Sequence, residues 1–90
     1  MAELIASGTT TVSSADITLA AGEATTLALK SPDGYLPGGA QAIIEKKSGA
    51  VYTRIGDLDT AAPAKVLEAV GTFRVTRQAN TGGSFGVDRD

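Results

Sequence analysis

Hydrophobic and polar side chains alternate most regularly between Gly71 and Arg77. Phe73 and Val75 fall on one side of an extended chain, whereas the intervening threonines and Arg74 fall on the other. Successive side chains of a β-strand point to opposite faces of its sheet, so this spacing predicts a half-buried strand. We therefore expect Phe73 and Val75 to lie in the core.

Two extended runs flank the dipeptide Ser48-Gly49, which is typical of tight turns. The first run covers residues 40–47 and the second covers residues 50–56. Extended runs separated by so short a turn predict a β-hairpin. Shorter alternating runs predict further strands within residues 16–19, 24–30 and 84–88.

Residues 64–70 are compatible with either a short helix or an extended chain. A helix of this length would be unstable by itself, and the segments on both sides favour β structure. We therefore predict a strand or a single turn here. The polar residues 57–63 that precede it are predicted to be a connector.

About seven short strands, separated by turns rich in Gly, Pro and Ser, predict an all-β fold. We expect one domain over residues 1–90, built as a single antiparallel β-sandwich. Residues 1–14 are either a strand of this sandwich or an extended N-terminal arm that adds to a neighbouring protein. The predicted core consists of Leu27, Leu29, Ile44, Val51, Ile55, Val66, Phe73, Val75, Phe85 and Val87.

The composition limits the chemistry available to the chain. It contains no His, Cys or Trp, and its eight basic and ten acidic residues give a formal net charge of −2. Nucleophile–His catalysis is therefore excluded, and the basic excess of a nucleic-acid-binding protein is missing. No segment approaches the ~20 apolar residues of a membrane helix. We expect a non-enzymatic protein, made in a cytoplasm, with no cofactor, no nucleic-acid partner and no membrane partner.

The segment from Ala69 to Val75 is similar to the corner that leads into the sixth strand of immunoglobulin-like domains. Gly71, Phe73 and Val75 stand where those domains have Gly, Tyr and Cys. Phe73 lacks the hydroxyl that makes the corner hydrogen bond of those domains, and Ala69 replaces their acidic residue. The resemblance implies an immunoglobulin-like sandwich.

A broader resemblance concerns the order of elements along the chain. A Leu-rich strand ending in a Pro/Gly loop is followed by a hairpin with Tyr52, a polar connector and the Gly71–Arg77 strand. This order resembles small β-rich virion proteins of tailed bacteriophages, of the head-decoration, neck or tail accessory type. The resemblance implies a structural virion protein that binds and stabilises a capsid lattice, made in the host cytoplasm. Its partner would be the major capsid protein or another virion protein, bound by homo-oligomers or lattice-bound copies.

Two other functions remain open. One is a neck or tail accessory role in the same kind of particle. The other is a β-sandwich module that binds carbohydrate or a cell surface, with Tyr35 or Tyr52 as the aromatic contact.

Four residues form the candidate interaction surface, because Tyr and Arg are enriched where proteins contact each other. If the hairpin and the Gly71–Arg77 strand share a sheet, their outward side chains would lie close together. The alternative is an ordinary solvated sheet face. The candidate residues are Tyr52, Arg54, Arg74 and Arg77.

Two pairs of aspartates have a spacing that places both carboxylates on one side of an extended chain. They are Asp57 with Asp59, and Asp88 with Asp90. Calcium binds to such oxygen ligands, but the chain lacks the Asp-x-Asp-x-Asp-Gly loop that would make the pattern specific. We favour solvated acidic residues and predict no metal site. Glycoside hydrolysis by paired carboxylates is disfavoured, because the chain has few aromatic residues for a sugar platform.

Overall fold

Nine β-strands and no helix are present in the computed structural model, which describes residues 2–90. Met1, where the predicted N-terminal segment begins, lies outside the described residues. The strands are β1 (Ala2–Gly8), β2 (Val12–Ser13), β3 (Ile17–Leu19), β4 (Thr25–Lys30), β5 (Gln41–Ser48), β6 (Val51–Asp59), β7 (Ala64–Leu67), β8 (Gly71–Arg77) and β9 (Phe85–Arg89).

The strands form two antiparallel sheets that pack together, which confirms the predicted β-sandwich. One sheet has the order β1-β9-β4-β7, and the other has the order β2-β8-β5-β6, with β3 also paired to β8. The first strand lies beside the last, whereas immunoglobulin domains pair their first strand with the second. The strand order therefore does not confirm the immunoglobulin-like arrangement.

The predicted hairpin is formed by β5 and β6, with Ser48 opposite Val51. Gly49 in its two-residue loop has a φ of 63°, a conformation that suits Gly at the first loop position. The ambiguous stretch after the hairpin forms the strand β7, as favoured from the sequence. Since β6 extends to Asp59, the predicted connector begins later than expected.

The core lies between the two sheets and includes most of the residues predicted for it. Phe73 and Val75 are fully buried on the inner side of β8. Leu29 is only partly buried and packs against the core. The other predicted residues found buried are Leu27, Ile44, Phe85 and Val87.

Three predicted core residues are exposed, so this part of the core prediction is wrong. The exposed fraction is 63% for Val51, 50% for Ile55 and 60% for Val66. All three lie on β6 or β7, each of which is the last strand of its sheet. Val51 and Ile55 lie on a part of β6 that the other sheet does not cover. Val66 is on the outer face of β7, since its neighbour Leu67 is opposite the buried Thr25 and faces inward.

A β-bulge in the hairpin explains why a residue of the predicted connector is buried instead. Glu45 is opposite Arg54, but Ile44 is opposite Gly56, so Ile55 is an extra residue on β6. One extra residue reverses which positions face inward. Leu58 therefore enters the core, where it is fully buried. The other core residues absent from the prediction are Ile5, Ile17, Leu19, Ala40, Ala42 and Leu67.

The N-terminal segment belongs to both sheets of its own chain. In β1, Ile5 pairs with Val87 of β9, and in β2, Val12 pairs with Arg77 of β8. The chain thus crosses from one sheet to the other between Gly8 and Val12. Of the two alternatives for this segment, the structure contains the one in which it forms strands of the sandwich.

Candidate interaction surface on the five-stranded sheet

The outer face of the five-stranded sheet brings Tyr52 and Arg74 together, although β5 lies between their strands. Glu45 of β5 is opposite both Arg54 of β6 and Arg74 of β8. Residues directly opposite in an antiparallel pair share a face, and Tyr52 is two positions from Arg54. These four side chains therefore all start from the outer face.

The ring of Tyr52 lies across the strands rather than pointing into solvent. The guanidinium carbon of Arg74 is 3.7 Å from the ring centroid, and Lys47 Nζ is 5.9 Å from it. Both cations are within the range in which an aromatic face attracts positive charge. At the far end of the ring, Tyr52 Oη donates a hydrogen bond to Asp16 Oδ1 at 2.6 Å.

Glu45 holds Arg74 in place from the other side. Arg74 Nε donates to Glu45 Oε1 at 3.0 Å, and Thr76 Oγ1 donates to the same oxygen at 2.7 Å. Ser13 lies within hydrogen-bond distance of Thr76, with 2.9 Å between the two hydroxyl oxygens. Because the Arg74 hydrogen bond stabilises the ionised carboxylate, it lowers the pKa of Glu45.

The same contacts also shift the pKa values of Tyr52 and Arg74, in the direction that keeps both side chains protonated. Donation to Asp16 raises the pKa of Tyr52 above its usual value of 10.0. The hydrogen bond to Glu45 raises the pKa of Arg74. Together, Asp16, Glu45, Lys47, Tyr52 and Arg74 form what we call the Tyr52 cluster. Its two carboxylates and two cations balance at neutral pH, so the cluster fixes a Tyr and an Arg on the surface without a large local charge.

Arg54 lies on the same face but belongs to a separate group. Its Nη2 donates to Asp57 Oδ2 at 2.7 Å, which lowers the pKa of Asp57. Lys65 Nζ is 3.9 Å from the other oxygen of Asp57, and Gln41 donates to this carboxylate at 3.4 Å. Arg54 therefore lies next to the Tyr52 cluster without direct bonds to it.

Arg77 is not on the outer face, contrary to its place in the predicted surface. Only 4% of the residue is exposed. It shares the inner side of β8 with Phe73 and Val75, and the alternation along the strand places it there. The alternation in the sequence therefore indicated that Arg77 faces inward, but its charge favoured a place on the surface.

The guanidinium of Arg77 is bonded to main-chain carbonyls instead of an acidic side chain. Its Nε donates to the carbonyl of Thr10 at 2.8 Å, and Nη1 donates to the carbonyls of Ala6 and, at 3.3 Å, Phe85. Ala6 and Phe85 belong to the four-stranded sheet. Arg77 thus connects the sheets where the chain crosses between them.

Gly8 allows the N-terminal segment to approach Arg77 closely. A Cβ atom at this position would lie 2.8 Å from Nη2 of Arg77, which is closer than real Cβ contacts. The absence of a side chain at Gly8 therefore leaves space for the buried guanidinium.

The two aspartate pairs do not form sites, because each member has a different partner. Asp59 Oδ1 accepts hydrogen bonds from the N–H groups of Ala61 and Ala62, whereas its neighbour Asp57 binds Arg54. Asp88 pairs with Lys30, and Asp90 Oδ1 accepts from the N–H of Thr26. Within residues 2–90, no group of three acidic residues could hold a metal ion.

Tyr35 lies far from Tyr52, at the other end of β5. Its side chain is 73% exposed in the loop before β5, whereas Tyr52 is opposite Lys47, next to the hairpin turn. Tyr35 borders an open depression of about 300 Å³. The other residues that line this depression are Leu29, Lys30, Ser31, Gly34 and Leu36.

Sequence reasoning did not identify three members of the Tyr52 cluster, Asp16, Glu45 and Lys47. The positions of Glu45 and Lys47 depend on which residues are opposite each other in β5, β6 and β8, and Asp16 lies in the loop before β3. A single sequence does not specify these contacts. Comparisons with protein-family models, curated proteins and solved structures find no match. None of the described residues forms a helix that is long and apolar enough to cross a membrane.

Proposed function

We propose that this chain is a non-enzymatic structural protein of a phage particle, and that it binds a capsid lattice as a decoration or cement protein. The contact surface would be the outer face of the five-stranded sheet, centred on Tyr52 and Arg74. The observation that carries the proposal is the fixed stacking of these two side chains, at 3.7 Å, on a face made by three strands.

A surface of this kind is well suited to binding another protein. Tyr and Arg dominate the energetics of many protein interfaces, and side chains already held in place lose less entropy on binding. Tyr52 is held by Arg74 and Asp16, and Arg74 by Glu45. Arg54 adds a more exposed guanidinium beside them. A complementary partner would present carboxylates or carbonyl oxygens to these two guanidinium groups.

Co-sedimentation with capsids that lack their decoration protein tests this proposal directly. We expect saturable binding by the parent protein and at least about tenfold weaker binding by Tyr52→Ala, since an interface hot spot is worth about 2 kcal/mol or more. Arg89→Ala, on the four-stranded sheet, is the matched control and should bind like the parent. Absence of binding by the folded parent at saturating concentration would contradict the proposal.

A neck or tail accessory role would use the same surface, and binding to purified necks or tails instead of capsids would favour it. Carbohydrate binding is supported by a different observation, the exposed Tyr35 beside its open depression. A glycan-array signal that is lost in Tyr35→Ala but retained in Tyr52→Ala would favour that function.

A further inference from the structure

The strand β6 is the longest edge of the sandwich that is available for pairing. Within residues 2–90 it forms a ladder with β5 alone, in which eight of its nine residues are paired. The other three edges are less suited to a partner strand. β2 and β3, which share the edge beside β8, have two and three residues. β7 has four residues and follows Pro63, and β1 has two irregularities in its pairing. Short and irregular edges discourage pairing with other chains. β6 is longer than the other edge strands, and its one bulge comes after residues 51–54, so this stretch is the least protected.

The hairpin turn determines which main-chain groups of β6 face outward. Because the loop has two residues, Ser48 and Val51 exchange both of their hydrogen bonds, and the following pairs alternate. Tyr52 and Arg54 are then in pairs that do not bond to β5, so their N–H and C=O groups point away from it. A partner strand could therefore form hydrogen bonds with the main-chain N–H and C=O groups of both residues.

The side chains of β6 are complementary to a second copy of themselves. In an antiparallel pair centred on Thr53, Val51 would lie opposite Ile55 of the other copy. Tyr52 would lie opposite Arg54 of the other copy. The first pairing covers two exposed apolar side chains, and the second places no like charges opposite each other. The central residues 52–54 precede the β-bulge, so the ladder there is regular.

We propose that two copies of this chain associate through antiparallel pairing of β6, about a two-fold axis at Thr53. The two five-stranded sheets would then form one continuous sheet, and each copy would use the same surface. A second copy fits this edge better than an unrelated strand. When residues 51–55 pair with the same residues running in the opposite direction, compatible side chains are opposite each other on both faces of the sheet. The inference does not depend on capsid binding, since the dimer would form in the absence of any capsid.

Disulfide trapping tests the predicted pairing directly, because the natural chain has no cysteine. In Thr53→Cys, the two introduced residues would be directly opposite, at the ~4.5 Å Cα separation of a pair without mutual hydrogen bonds. Mild oxidation should give a disulfide-linked dimer. In Val51→Cys, the two residues would be about 13 Å apart along the strands, so the same treatment should leave monomers. Equal cross-linking of both variants, or of neither, would overturn the proposed pairing.

Sedimentation equilibrium of the natural chain provides the second test. Val51→Lys would place a charge in the apolar pairing, and we expect at least about a tenfold weaker dimer. Val66→Lys is the matched control, since Val66 is equally exposed on an edge of the other sheet, and its dimer should be unchanged. A parent that stays monomeric at every concentration, or a dimer weakened only by Val66→Lys, would refute the inference.

Discussion

Arg74 and Arg77 lie three residues apart on the same strand, yet the two faces of the sheet give them different partners. Arg74, on the outer face, binds the ionisable carboxylate of Glu45 and the ring of Tyr52. Arg77, on the inner face, is buried and binds main-chain carbonyls of the four-stranded sheet and of the segment between β1 and β2. Carbonyl groups do not titrate, so the contribution of Arg77 to stability should be the same at neutral and acidic pH. The contribution of Arg74 should fall at acidic pH, where Glu45 becomes protonated.

This difference shows that the position of a charged residue along a strand, rather than its charge, determines whether its side chain faces the core or the solvent. A buried guanidinium is tolerated when its N–H groups are hydrogen-bonded. The end of β1 supplies Arg77 with such an acceptor at Ala6, and the bend between β1 and β2 supplies another at Thr10. Arg77 is therefore a structural residue that fastens the N-terminal segment, and only Arg74 is placed to meet a partner.

The largest expected effect comes from the inner face of β8. Phe73→Ala should lower the free energy of unfolding by about 3–5 kcal/mol, because it removes a fully buried aromatic side chain and leaves a cavity. Val51→Ala, at an exposed position of β6, should change the free energy of unfolding by less than about 0.5 kcal/mol. Urea unfolding of both variants measures the contrast, and equal losses would contradict the core described here.

Arg77→Met should lower stability by about 3 kcal/mol, because several main-chain carbonyls lose their donors inside the protein. Arg77→Lys restores some of these bonds and should lose less. The loss should be the same at pH 7 and pH 4, since no carboxylate takes part. Thermal or urea unfolding at both pH values measures it, and a stable Arg77→Met variant would show that Arg77 does not fasten the sheets.

Glu45→Gln should lower the free energy of unfolding by about 1–2 kcal/mol at pH 7, because it weakens hydrogen bonds to a charged group. The pKa of Glu45 is lowered by folding, so its contribution is fully present above its ordinary value of 4.5 and is lost as the pH falls through the lower folded value. The difference between parent and variant should therefore shrink below about pH 4.5. A difference that stays constant down to full protonation would contradict the ion pair with Arg74.

The smallest effect concerns Tyr52 and is spectroscopic. Its raised pKa means that its contribution to stability is present below pH 10.0, the ordinary value, and is lost as the pH rises through the folded value. In Tyr35→Phe, Tyr52 is the one remaining tyrosine, and no Trp interferes. Its absorbance should titrate above pH 10.0, and Asp16→Asn should move the transition downward. An unchanged transition in Asp16→Asn would argue against the hydrogen bond.

Alternation and turn residues were enough to predict the fold class and several strands. Gly71–Arg77 and the hairpin around Ser48-Gly49 were both predicted with nearly correct limits. The candidate surface was predicted less completely. Tyr52 and Arg74 do come together on the outer face, but Arg77 lies inside, and the acidic residues that hold the cluster were not identified from the sequence.

Local periodicity can be read from the amino-acid order alone, because the direction of each side chain relative to its neighbours is a property of the extended backbone. Which of the two faces of a strand is covered depends on the packing of the sheets. Val51 alternates like a core residue but lies on the uncovered end of an edge strand, and Val66 faces outward while its neighbour Leu67 faces inward. One bulge brings Leu58 inside in place of Ile55. Burial depends on what lies opposite a strand, and strand order, register and bulges arise from contacts between residues far apart in the chain.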